Sequence, residues 1–546
     1  MKVIVGYVSE TDEAFASFLP SGCCYIHAVL ASSGHQSLLV NFSGMPVARR
    51  DALIRENRPR VLFLSLLTHN RHCTLRLAKA VKLIDPKCLV IVGGPHATFL
   101  WHDILDRNEA VDGVVLGEGE RVCREIAAAV ADGRGVGGLV GVVTRTNYKI
   151  RPPQAAPVCP NLDELPIPGK YAAASVGVDL RRQLEFIITS RGCGGSCSFC
   201  SSPSFWGRKI RYRSPASVVE EIRFLRDTYG MIYFSIRDDT FTCDRSRVVE
   251  ICRRLLDERI FVIWNCQSRV NAVDAEVLQW MRRAGCEAIQ FGVESGSSKV
   301  LASLAKGVSL DRVRAAARMT KESGIRLSVY LITGVPGEGE SDLQETLSVI
   351  SDIQADDGQV SPLVYYPGTK FFRDAVAKGE VEPQIFDGME ESFPVRRDSF
   401  VRKSMSRMLR RLHEVGTRHC LNEKTIRSLR NRFGYCHIGN IGAGEFYRSI
   451  GDDGNAEAAF REIVKREPDN PWGWLSLAEL HADQGKFVQA IADFRRLVDL
   501  VPNHAPAFAA LGDLFLQIGQ RDAANEAIAR ADELDPWGEG RQAILL

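Results

Sequence analysis

Short apolar runs alternate with helical patterns along two long stretches of the chain. In the first, apolar runs at 3–8, 37–42, 60–67, 88–93 and 113–116 flank amphipathic patterns at 25–33, at 75–84 and from Glu120 onward. Uninterrupted apolar strands between helices predict a parallel sheet covered on both faces, a doubly wound Rossmann-like domain. Ligands of such sheets bind at the carboxyl ends of the strands. In the second stretch, runs at 186–190, 231–236, 261–267, 288–293 and 325–334 again alternate with helical patterns. This predicts a partial or full (β/α) barrel with its chemistry on the loops after the strands.

Between the two lies a Pro-rich, unpatterned stretch, RPPQAAPVCPNLDELPIPGK, expected to run over the surface as a linker. After the second, a basic segment centred on RRDSFVRKSMSRMLRRLH is expected to be a solvated helical connector. The end of the chain repeats with a step of 34: Pro468, Pro502 and Pro536, then Ala456, Ala490 and Ala524, then Phe460, Phe494 and Ile528. Trp474 and Phe508, and Gly485 and Gly519, keep the same step. A helix–turn–helix period of this length with small residues at the crossings resembles the tetratricopeptide repeat. Two repeats are clear, and a degenerate third begins near Ile438. The expected division is therefore 1–145, a linker at 146–179, a barrel at 180–385, a connector at 386–437 and an all-α repeat domain at 438–546.

Composition changes this picture little. Apolar and charged shares of 45% and 25% are ordinary for a globular chain. A net charge of +2 gives composition no vote on nucleic acid or acidic surfaces, and no nucleic-acid partner is expected. The opening MKVIVGYVSE lacks the pattern of a signal peptide, and no run approaches the ~18 apolar residues of a membrane span, so a cytoplasmic protein is expected. Fifteen cysteines are scattered rather than laid out as a disulfide framework, and Cys252, Cys266 and Cys286 read as small buried apolar residues.

One cysteine group has ligand spacing. TSRGCGGSCSFCSSP places Cys193, Cys197 and Cys200 as C-x3-C-x2-C on a Gly-rich loop after the first barrel strand. Thiolates suit iron–sulfur clusters, and three ligands for four irons leave one iron open for chemistry. A zinc site is the alternative, but it lacks a fourth ligand nearby. The spacing and its place resemble the radical SAM superfamily. That resemblance implies a [4Fe–4S] cluster that binds S-adenosylmethionine (SAM) and cleaves it to a 5′-deoxyadenosyl radical, fed by an external electron donor. It implies that Phe199 packs on the adenine side, that Asp238 or Asp239 in IRDDTFT contacts the methionine amino group, and that Glu294 and Ser295 in FGVESGS contact SAM. Arg269 joins this cofactor-binding set, and the loops 334–346 and 365–369 also fit. For each acid alone, the alternative is a surface or capping carboxylate.

Placed ahead of such a barrel, the first domain resembles the cobalamin-binding domain, whose pattern is D-x-H-x-x-G followed at set spacings by S-x-L and G-G. Ser65-Leu66-Leu67 supplies S-x-L, with 42 residues separating it from Gly22, and Gly93–Gly94 follows after a further 25. The aspartate and histidine are missing: Leu19 stands where the imidazole would ligate cobalt, and an aliphatic side chain cannot do so. Ser65, Leu67, Gly93, Gly94 and Gly117 are the expected cobalamin contacts, the last in a GEGE turn near the corrin edge. His69 and His72 read as ordinary surface or helix-start histidines.

Together the resemblances imply a cobalamin-dependent radical SAM enzyme that methylates an unactivated carbon. Oxidative cyclisation or rearrangement with the same cofactors is the alternative, and a repeat scaffold with a degenerate enzyme domain is the alternative of another class. No acid–base residue is singled out as catalytic. The substrate is expected to be a small molecule or one bound to a carrier or peptide; the repeats bind a partner or a second copy. Trp206, Tyr365 and Tyr366 are aromatic candidates for the pocket, though core packing suits each as well.

Overall fold

The computed structural model describes residues 1–10, 16–150, 152–387, 398–416 and 422–537. Seven strands form the first sheet: β1 (Lys2–Tyr7), β2 (Gln36–Asn41), β3 (Val61–Ser65), β4 (Leu89–Gly93), β5 (Gly113–Val115), β6 (Val142–Thr144) and β7 (Ser175–Val176). Their order is β6-β5-β4-β3-β1-β2-β7, parallel except that β6 runs antiparallel to β5. The central strands are buried on both faces, as their continuous apolar runs demand. One face packs under Leu53, Leu77, Val81 and Leu105, the other under Leu30, Val122 and Ile126. The doubly wound arrangement was expected; β6 and β7 were not. They are two or three residues long, and β7 comes from the stretch read as a surface linker, so that stretch contributes the sheet's last strand.

The second sheet is all parallel. Strands β8 (Phe186–Ile187), β11 (Tyr233–Ile236), β12 (Ile263–Ser268), β13 (Cys286–Glu294), β14 (Arg326–Thr333) and β15 (Asp357–Pro362) lie side by side in chain order, an open, partial barrel of six strands. A small antiparallel pair, β9 (Ser190–Arg191) and β10 (Arg211–Tyr212), brackets the cysteine loop. Strand β15, DGQVSP, carries too few apolar residues to be read from the sequence; its position is dictated by pairing with β14.

The basic segment needs correction. The part outside 388–397 and 417–421, which are not among the described residues, includes a helix over Ser399–Gly416 that is not a solvated connector. Val401, Ser404, Met408, Leu412 and Val415 form a buried stripe at helical spacing, and Met408, Leu412 and Val415 belong to the barrel core. The arginines between them masked the stripe.

Six helices end the described chain: His437–Ser449, Asp453–Arg466, Pro471–Asp483, Phe487–Leu500, Ala505–Gln517 and Arg521–Leu534. They form three pairs whose starts step by 34 residues, with the first pair where the degenerate repeat was expected. Gly444, Ala478 and Gly512 occupy one position of the step, and a Cβ at Gly512 would crowd Ile528 Cγ1 at 2.5 Å. Ile438, Trp472 and Val501 pack on Ile232 and Ile263 at the amino-terminal end of the barrel strands. No helix among the described residues is long and apolar enough to cross a membrane.

Candidate functional site

The carboxyl ends of β3, β4 and β5 face those of the first barrel strands across a cavity of about 310 Å³. From the first sheet it is lined by Ser65, Leu67, Gly93, Gly94 and Gly117; from the barrel side by Arg191, Trp206, Arg237 and Asp239. Thus all five cobalamin contacts expected from the sequence meet in one chamber. Strand pairing sets Ser65 beside Gly93, and Leu66 N–H donates to the Gly93 carbonyl at 2.8 Å. Gly94 has φ of 106°, and a Cβ there would stand 3.0 Å from the Leu66 carbonyl, so only glycine fits. Gly93 differs: its φ is unstrained and a Cβ would meet Val115 at an ordinary 3.7 Å, so the missing side chain leaves open space in the chamber. A flat group has room to enter there, which is the fit a corrinoid requires.

Leu19 does not line this cavity. It is buried in the sheet core, and its backbone exchanges two hydrogen bonds with the Gln183 amide, at 2.8 and 3.1 Å. Cys23, one turn on, lines the chamber and hydrogen-bonds Ser65; burial pushes its thiol up to about 12. His69 is buried rather than on the surface. Its Nε2 meets the Tyr7 hydroxyl at 2.9 Å, and burial pulls its pKa down to about 4.

The cysteine loop sits on the adjoining side. Cys193 is buried and Cys197 and Cys200 are half-buried. The three thiols lie within electrostatic reach of one another, and burial pushes Cys200 up to about 12. Donors point at the sulfurs: Arg269 Nη1 at 3.4 Å from Cys197 Sγ, and Gly195 N–H at 3.4 Å from Cys193 Sγ. Such donors suit sulfur acceptors, so the set fits a metal cluster. Among the described residues no three His, Cys, Asp or Glu side chains close on a single ion. Arg269 also donates to the Lys306 carbonyl at 2.8 Å, fixing it on the loop.

The two aspartates divide. Asp238 is buried and accepts four hydrogen bonds from the backbone and hydroxyls of Thr189 and Ser190, at 2.5–3.0 Å. It builds the entry to the cysteine loop. Asp239 faces the chamber, bonded to the Ser202 hydroxyl, with burial holding its carboxyl above the usual range. Glu294 ends β13 at a register shift with φ of 66° and pairs with Lys306 at 2.6 Å. Ser295 is fully buried, its hydroxyl spent on Thr346 and the Ser297 N–H, so it shapes this loop. Phe199 packs against Val300, Leu304, Ile332 and Leu363. Trp206 lies in the chamber wall.

A charge network that sequence reasoning missed joins the two domains. Arg191, two residues before Cys193, pairs with Glu118 at 3.2 Å and Glu120 at 2.5 Å. Glu118 also pairs with Arg211 and accepts from the Cys159 N–H at 3.1 Å. Arg191 lies over the rings of Tyr25 and Trp206, at 5.2 and 5.1 Å. All four charged side chains are at most 8% exposed. The GEGE segment is therefore more than a turn: its acids hold the cysteine loop against the first domain. Only the density of acids in it hinted at this.

A parallel open barrel with a three-cysteine loop after its first strand, fused to a Gly-lined α/β domain, defines a radical SAM enzyme with a B12-binding domain. Residues 187–350 match the Radical SAM superfamily and residues 12–127 the B12 binding domain. The cofactors of these domains are a [4Fe–4S] cluster, S-adenosylmethionine and cobalamin. The chain is 29% identical to an uncharacterized methyltransferase of Pyrococcus horikoshii, over 66% of this chain and 79% of that one. It is 25% identical to the anaerobic magnesium-protoporphyrin IX monomethyl ester cyclase of Rubrivivax gelatinosus, over 69% of each. Its fold is that of the radical SAM methyltransferase TsrM of Kitasatospora setae, with a TM-score of 0.60 at 16% identity over 85% of this chain and all of that one.

Proposed function

We propose that this chain methylates an unactivated carbon, with both cofactors meeting in the chamber between its two α/β domains. The observation that carries the reading is the convergence of Ser65, Leu67, Gly93, Gly94 and Gly117 on one cavity with Asp239, beside the cysteine loop. The cluster and SAM supply a hydrogen-abstracting radical, and the corrinoid supplies a methyl group. Cys193, Cys197 and Cys200 hold the cluster, and Arg269 donates to it. Asp239, Glu294 and Phe199 position SAM. Glu118 and Glu120, through Arg191, hold the two domains together at the chamber wall. Leu19, sealed in the sheet core, supplies no lower ligand to cobalt. The methyltransferase relative supports this assignment; the cyclase relative keeps oxidative cyclisation as the second reading.

The test uses SAM deuterated at the methyl group, with the anaerobic, cofactor-loaded enzyme and a charge-fractionated small-molecule extract. A product heavier by the labelled methyl supports methylation. Substrate consumed with 5′-deoxyadenosine formed and no label in the product replaces it with cyclisation. The three helix pairs, with their 34-residue step, are best read as tetratricopeptide repeats, and their contact with Ile232 and Ile263 makes them a brace for the barrel before any external partner.

A further inference from the structure

One cation in the chamber is unspent. Arg237 directly follows β11 and precedes the two aspartates. It lines the cavity opposite Ser65 and Gly93, and its guanidinium lies over the Phe186 ring at 4.9 Å. Most of the charged groups around it are engaged, and Asp239, two residues on, accepts from the Ser202 hydroxyl. Arg191 pairs with Glu118 and Glu120, Glu294 with Lys306, and Asp238 with its four donors. Deeper in the barrel, Glu287 pairs with Arg326 and accepts from the Tyr233 hydroxyl. Arg237 has no ion pair among the described residues. Glu185 feels its charge without reaching pairing distance, and burial still holds that carboxyl above its usual range.

The barrel wall beside it is polar. Gln267 donates to Gln290 at 3.1 Å and Gln290 to Ser328 at 3.4 Å, a ladder across β12, β13 and β14. Tyr330, half-buried on β14, lies within electrostatic reach of both Arg237 and Glu294. A guanidinium with stacked support and free donors, exposed at the chamber wall, can take an anion bidentately. We propose that Arg237 binds a carboxylate or phosphate of the substrate, with the Tyr330 hydroxyl and the Gln267–Gln290 amides completing a polar subsite. The substrate is then an organic acid or phosphate ester whose anion is anchored at Arg237 while its reacting carbon faces the chamber. This rests on the reading of the chamber as the reaction site.

The test is a titration of acetate and of inorganic phosphate, followed by NMR line broadening, on full-length enzyme already loaded with iron, corrinoid and SAM. Loading first fills the sites of the anions that the cofactors themselves carry. Saturable binding, competitive between the two probes, weakened about tenfold or more in Arg237→Met and largely kept in Arg237→Lys, is the expected result. No saturable binding to the loaded enzyme, or equal binding in Arg237→Met, overturns the inference while leaving the proposed function standing. Loss of corrinoid in Arg237→Met assigns the arginine to the cofactor and also overturns it. Wild-type enzyme that takes up neither iron nor corrinoid overturns the functional reading and this subsite with it.

Discussion

Glu118 is the residue on which the junction of the two domains turns. It is 2% exposed and neutralises Arg191 and Arg211 together. Replacing it with glutamine leaves Arg191 paired with Glu120 alone and strips Arg211 of its carboxylate partner. Breaking a buried pair in this way costs about 3–5 kcal/mol. We therefore expect Glu118→Gln to lower the melting temperature by several degrees in differential scanning fluorimetry; an unchanged value would show that the network is not needed to hold the domains together. Gly93 gives the complementary case. Gly93→Leu meets no backbone clash and fills the chamber, so it should lose corrinoid while keeping iron and fold, read by absorbance and circular dichroism. The cysteine triplet and the chamber glycines were legible in the sequence because C-x3-C-x2-C spacing and Gly-Gly are local patterns. The arginine partners of Glu118 lie more than seventy residues away, and nothing local announces them.

Among the elements, strongly periodic ones were readable and composite ones were not. The 34-residue step gave the repeat helices, because their packing repeats with the sequence. Strands β7 and β15 were not readable, since pairing rather than propensity places them. The docking of the repeats on the barrel also needed the structure. At Gly230, φ is 65° and a Cβ would overlap the Asn503 carbonyl, so the helix ending at Tyr229 accepts the repeat backbone directly. Gly230→Ala should therefore loosen the repeats and speed proteolytic cleavage between them and the barrel, with cleavage at the wild-type rate as the contrary result.

Two buried histidines make the same junction sensitive to acid. Burial, with Arg282 beside His437 and Arg181 beside His504, pulls both pKa values down to about 3. His437 also stands 3.7 Å from Glu467, and His504 Nδ1 accepts from the Ala507 N–H. Unfolded histidine titrates near 6.5, so below that pH the unfolded chain binds protons that the folded chain refuses. The stability these two neutral side chains permit is full above about pH 6.5 and falls as pH drops toward 3, by about 1.4 kcal/mol per unit for each. Unfolding temperatures followed from pH 7.5 to 5 should decline with a slope that His437→Gln reduces. An equal slope in that variant would remove His437 from the account.

For the whole molecule, the proposal is that a corrinoid site and a cluster site adjoin at one chamber but are held by different residues. Each half was foreshadowed by its own motif; that the glycine-lined chamber adjoins the cysteine loop, locked by Glu118, Glu120, Arg191 and Arg211, follows only from the assembled fold. The most direct measurement is the iron and corrinoid content of anaerobically reconstituted enzyme and two variants. The account predicts about four irons and one corrinoid per chain, loss of iron alone in Cys193→Ala, and loss of corrinoid alone in Gly93→Leu. A colourless wild-type chain after reconstitution, or a Gly93→Leu variant that keeps its full corrinoid, would contradict it.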